Sequence, residues 1–197
     1  MQHIDDILSL YMIIREKDEL NTENMLLLAK EAGFSYAAPL AMEALVFRPE
    51  VREMCAADRC RSYGRSWSCP PASGSVERAK ELASEYSRGI IVQTVGPVED
   101  EFDMAAVHDL MKKHSKSFDT LVRQLRMFYP ECMPMGAGAC RVCRSCTYPD
   151  RPCRHPERMY PSMEAYGLLV SDVAGRSGLK YNYGENTMSF TSCVLTD

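Results

Sequence analysis

The chain has 197 residues, 46% of them hydrophobic and 25% charged, which suffices for a folded domain with a real core and excludes global disorder. The formal net charge is −4, so no polyanion-binding surface is predicted for the chain as a whole, and nucleic acid is not an expected partner. No run of about 18 apolar residues exists to span a membrane, and Met1 to Arg15 carries Asp5 and Asp6 with no basic segment before an apolar run, so a secretory signal is not expected and a cytoplasmic location is.

In chain order, Ile4, Ile7, Leu8 and Tyr11 recur at helical spacing and predict an opening helix, within a helical segment over residues 1–33. A second helix is predicted from Thr22 to Ala32, capped at Asn21 or Thr22 and stopped by Gly33. Glu43–Phe47 reads as a short strand ended by Pro49. Ser75 caps a helix carrying Val76, Ala79, Leu82, Ala83 and Tyr86 on one face, and Gly89 ends it. Ile90–Val95, apolar and β-branched, reads as a buried strand. Phe102–Tyr129 is the longest predicted helix, its apolar residues alternating three and four apart, and Pro130 stops it. His114 falls on that seam and reads as a core histidine rather than a ligand. Pro161–Val173 predicts a helix with its positive end toward the nearby cysteines. Tyr181–Tyr183 and Thr187–Leu195 read as a hairpin about Gly184-Glu185-Asn186. The sum is one α+β domain over residues 1–197: a small sheet covered by helices, with two cysteine loops, 55–71 and 136–158.

Nine cysteines are the anomaly. In a reducing compartment disulfides are not the default, which leaves metal ligation, redox chemistry or plain burial. The second group, Cys140, Cys143, Cys146 and Cys153, has the spacing C-x2-C-x2-C-x6-C. Three thiolates at steps of three suit three corners of one cubane cluster, and bacterial ferredoxins begin the same way. Cys153 is the nearest fourth thiolate, with Pro149, Asp150 and Pro152 to turn the chain back, although in two-cluster ferredoxins the last cysteine of such a run serves the other cluster. Gly136 to Ala139 allow backbone N–H groups close to the sulfurs, and Arg141, Arg144, Arg151, Arg154 and Arg158 offset an anionic site. Zinc also accepts four thiolates, but it usually recruits two separated CxxC pairs. His155 reads as a neighbour of this run rather than a member of it.

The first group, Cys55, Cys60 and Cys69, has the spacing C-x4-C-x8-C-P-P, one thiolate short of a closed site. The fourth ligand is open among Cys132, Cys193, Cys153 and a group from outside the chain. Cys132 and Cys193 are better explained as core residues, Cys193 because it sits in a strand pattern. Tyr63 and Trp67, the only tryptophan, are placed to cover a cluster, and Arg52, Arg59, Arg61 and Arg65 bring cations.

Residues Cys55 to Pro71, read as C-x4-C-x2-Y-G-x2-W-S-C-P-P, resemble the signature of a family of predicted metal-binding, cysteine-rich proteins common in anaerobes. The segments from Gly138 to Cys146, Cys153 to Glu157 and Pro161 to Gly167 resemble it as well, so the likeness runs from about Val46 to Leu195. The resemblance implies metal binding, with iron–sulfur ligation the usual inference, and supports Cys55, Cys60, Cys69, Cys140, Cys143, Cys146 and Cys153 as the functional set. Three functions follow. One is electron transfer through one or two [4Fe-4S] clusters to a redox partner protein. The second is an iron–sulfur enzyme with an open iron at the three-cysteine group. The third is a zinc-stabilised structural or interaction module. No Gly-rich nucleotide loop, HExxH or GxSxG motif supports another class.

Overall fold

The computed structural model describes residues 21–100 and 103–197, and the predicted opening helix lies outside them. Among the described residues there are five α-helices and one four-stranded sheet: α1 (Thr22–Glu31), β1 (Tyr36–Pro39), α2 (Pro49–Ala56), α3 (Val76–Ala83), β2 (Arg88–Pro97), α4 (Met104–Leu125), β3 (Met133–Met135), α5 (Val170–Arg176) and β4 (Thr187–Thr196). The sheet order is β1-β2-β4-β3 and every pairing is antiparallel. This is the α+β architecture expected from the sequence. No helix among the described residues is long and apolar enough to cross a membrane.

The apolar run Ile90-Ile91-Val92 is continuous rather than alternating because the sheet is covered on both faces. Ile90, Val92 and Val194 meet Met25 and Leu28 of α1 and Leu121 and Leu125 of α4. On the other face Ile91, Cys193 and Leu195 meet Met135, Met163 and Val173. Caps fix the helix starts: Asn21 Oδ1 accepts from Asn24 N at 2.9 Å, Ser75 Oγ from Arg78 N at 3.1 Å and Asp103 Oδ1 from Ala106 N at 3.0 Å. Each such cap is worth about 1 kcal/mol.

Three expected elements differ. The strand expected at Glu43–Phe47 is displaced: the edge strand is Tyr36–Pro39, and Met42–Ala44 forms a single 3-10 turn. The β1–β2 ladder closes with Leu40 N donating to Gly89 O at 2.9 Å, and Ala41 N then turns to Ser177 Oγ at 3.1 Å, which takes the following residues out of the sheet. Pro49, read as a stop, instead begins α2, where the N–H it lacks has no helical partner to lose. Pro161–Val173 is not one helix. Ser162 bridges to Gly136, a 3-10 turn spans Glu164–Tyr166, and α5 begins only at Val170, so no helix starts near Pro161 to aim a positive end at the cysteines. The break is Gly167 at φ +86°. Tyr181–Tyr183 forms no strand; β4 pairs with β2 along its whole length and with β3 only at Cys193–Leu195. The segment is held by side chains: Tyr183 Oη donates to Gln93 Oε1 at 2.7 Å, and its ring stacks on Tyr36 at 4.8 Å.

Gly167 joins this break to the start of α2, accepting from Arg48 N at 2.8 Å, and a Cβ there would lie 2.8 Å from Arg48 O. Gly167→Ala combines a left-handed backbone with a backbone clash, so its expected cost is about 2–3 kcal/mol. Urea unfolding measures it; a loss below about 1 kcal/mol would show that the 48–167 contact gives way without cost.

Candidate metal centre

The sheet edge delivers the second cysteine loop. β3 runs directly into Gly136, whose N–H donates to Pro161 O at 2.8 Å, and Cys140 follows four residues later. Cys140, Cys143, Cys146 and Cys153 then line one small cavity together with Ser66 and Trp67 of the first loop. Cross-links hold the two loops together. Cys140 N donates to Ser68 Oγ at 2.8 Å, and Trp67 Nε1 donates to Arg151 O at 3.1 Å. The Trp67 ring also meets Tyr148 edge-on at 5.0 Å. Within the second loop, Arg154 Nη1 donates to Ser145 O at 2.9 Å and Thr147 Oγ1 to Pro152 O at 2.9 Å, so the turn that returns Cys153 is fastened by its own side chains.

The thiols differ in environment. Burial alone would push Cys146 up. Hydrogen bonds from the backbone at Tyr148, Trp67 and Thr147 and from the Ser66 hydroxyl outweigh burial and hold the thiol below its ordinary value. Cys140 is raised, first by burial and then by the charges of Cys153, Cys143 and Cys146, against a hydrogen bond from Val142. The charges of Cys153, Cys143 and Cys146 thus all reach Cys140.

The first group is looser. Cys55 sits at the end of α2, its thiol 3.9 Å from Glu164 O. Burial raises its pKa, as do the charges of Glu164, Cys60 and Cys69. Cys69 is buried and Cys60 exposed. Burial and the charges of Cys60 and Cys140 raise Cys69, against its Ser68 and Ser66 hydrogen bonds, so Cys69 stands between the two groups. Arg52, expected to serve as a counter-charge, also ties α2 down by donating to Ala165 O at 2.9 Å and Gly74 O at 2.7 Å. Cys132 and Cys193 are buried in the two cores, as the sequence pattern predicts. His114 is likewise a core residue, 1% exposed, with Nδ1 2.9 Å from Thr94 Oγ1 and Nε2 2.8 Å from Ser192 Oγ.

Among the described residues no group of three or more His, Cys, Asp or Glu side chains is placed to hold a metal ion as it stands. The chemistry of the donor set still fits a thiolate-bound metal: four cysteines share one cavity, and hydrogen-bond donors surround the sulfur of Cys146. Sequence reasoning missed Ser66 and Ser68, which fasten one loop to the other, and the Glu164 carbonyl beside Cys55. The available signal was the place of Ser68 inside the W-S-C-P-P segment, of Ser66 just before it, and of Glu164 inside S-M-E-A-Y-G.

The fold is that of an α+β protein whose second cysteine run follows the edge strand β3 and lines one cavity with Ser66 and Trp67. Residues 38–196 match the family described as "Predicted metal-binding protein (DUF2284)", and the chain belongs to that family. No curated protein and no solved structure matches it.

Proposed function

We propose that this protein is an iron–sulfur electron carrier of the cytoplasm. Cys140, Cys143, Cys146 and Cys153 would hold one cluster of the [4Fe-4S] type, and Cys55, Cys60 and Cys69 would serve a second, with a redox protein as partner. The observation that carries the reading is that all four cysteines of the C-x2-C-x2-C-x6-C run line a single cavity. Three thiolates at steps of three in one overlapping run suit a cubane cluster, whereas zinc usually recruits two separated CxxC pairs. When bound, the cluster supplies reversible one-electron chemistry. The chain's own residues do the rest. Backbone N–H groups near Cys146 stabilise sulfur charge, Trp67, itself met edge-on by Tyr148, walls the cavity, and Ser68 fixes Cys140 against the first loop.

The test is metal analysis of protein prepared anaerobically with iron in excess. Iron and acid-labile sulfide in comparable amounts are the expected result. Stoichiometric zinc without sulfide would overturn the iron–sulfur reading while leaving the family's metal binding intact.

A further inference from the structure

A much larger cleft, about 750 Å³, lies beside the cysteine cavity and shares Cys140, Cys143 and Cys146 with it. Clefts of about 300–1,000 Å³ are the size that takes small-molecule ligands. One side is α4, which presents His108, Lys112 and Lys116 at intervals of four residues and so along one helical face. Arg61 and Arg65 enter from the first loop, and Arg141 and Arg144 from the second. Beneath them are the neutral, buried groups His114 and Ser192, which already satisfy each other.

The charge balance of this cleft is opposite to that of the chain. Its lining has five arginines and two lysines against one carboxylate, Asp119, while the whole chain carries −4. Asp119 is engaged by Arg158 at 3.0 Å, and Arg65 is engaged by Asp58 at 3.3 Å. Arg61, Lys112, Lys116, Arg141 and Arg144 have no carboxylate partner among the described residues. Five cations without a carboxylate partner around one concave space repel one another, and the cleft focuses their field on whatever enters it. Thiolate charge from the cysteines accounts for arginines adjacent to them in sequence. It does not account for Lys112 and Lys116, which come from a helix without cysteine.

We propose that this cleft binds a small multivalent anion, phosphate- or carboxylate-bearing, held between Lys112 and Lys116 on one side and Arg61, Arg141 and Arg144 on the other. Guanidinium forks match both kinds of oxyanion in two-point contacts, and the lysines add point charge. The inference rests on the side chains of the cleft and is independent of which metal the cysteines carry.

The experiment is calorimetric titration of the full-length, metal-loaded chain with pyrophosphate and, separately, with citrate, in low-salt buffer. Saturable binding of at least one probe is expected, weakening as salt rises. A preference for pyrophosphate marks a phosphate ligand and a preference for citrate a carboxylate one; both support the site. Lys112→Glu with Lys116→Glu should weaken binding roughly tenfold or more, because two attractions become repulsions, and the milder Lys→Gln pair should weaken it less. Metal content should stay unchanged in both. Lys30→Glu with Lys80→Glu, exposed and outside the cleft, makes the same change in net charge and should leave binding intact. Absence of binding by both probes, or an equal loss in the remote pair, would overturn the proposal.

Discussion

Cys140→Ala and Cys146→Ala are each expected to empty the second cysteine group of metal, whereas Cys132→Ala and Cys193→Ala leave metal content unchanged. The four positions are all cysteine, yet their surroundings divide them. Cys140 and Cys146 line the shared cavity, and hydrogen bonds hold the pKa of the exposed Cys146 thiol down. Cys193 is fully buried between Ile91 and Met135, and burial pushes its thiol far up, the opposite of what a ligand needs. Metal held at 100 to 1,000 times its Kd stabilises the folded chain by about 2.7–4.1 kcal/mol. Losing about 3 kcal/mol lowers Tm by roughly 6–12 °C in a domain of this size. Cys193→Ala removes one buried sulfur and is expected to cost about 1–2 kcal/mol through packing alone. Metal analysis and thermal unfolding under strict anaerobiosis measure both quantities. Equal metal loss across the four variants would show that the division by environment is wrong.

The parts of the fold that were legible in the sequence are those where one local rule decides. α1 has its cap at Asn21 and its stop at Gly33, which takes φ +92°; α3 has its cap at Ser75; β2 is apolar enough to be buried on both faces. α4 was legible in its body, although it ends at Leu125 rather than Tyr129 because the last residues before Pro130 unwind into single turns. The illegible parts depend on distant partners. β1 and β3 are only four and three residues long and exist because β2 and β4 offer them ladder positions. The break at Gly167 is set by the backbone of Arg48, far away in sequence.

The site shows the same division. Cysteine spacing picked out the second group as a unit, and those four thiols share a cavity. Spacing says nothing about which element lies opposite, so Ser66 and Ser68 were invisible as the fasteners of the second loop. The cationic cleft was invisible for the same reason. Lys112 and Lys116 read as an ordinary solvated helix face until the fold sets Arg61, Arg141 and Arg144 around the same space.

Between about pH 6.5 and pH 3, the folded chain is expected to lose stability through His114 by about 1.4 kcal/mol per pH unit, some 4–5 kcal/mol in all. Burial holds the imidazole neutral down to about 3, whereas the same residue in the unfolded chain titrates near 6.5. Above that upper value both states are neutral and the contribution is complete. As pH falls below it, the unfolded chain takes up a proton that the folded chain refuses, so the equilibrium moves toward unfolding. The refusal has a structural cause. Both ring nitrogens are occupied by hydroxyls, Thr94 at 2.9 Å and Ser192 at 2.8 Å, and Phe34, Phe118 and Phe190 surround the ring with centroids 5.4, 6.3 and 6.1 Å away. Among the described residues no carboxylate pairs with His114 to compensate an imidazolium. His114→Gln keeps a donor and an acceptor for the two hydroxyls but does not titrate. Urea unfolding of wild type and variant across this range isolates the effect, since acid loss of metal from the cysteines is common to both. The wild-type slope of stability against pH should exceed the variant's by close to one proton. Parallel slopes would mean that His114 is protonated in the folded chain and that its hydroxyl partners rearrange to admit the charge.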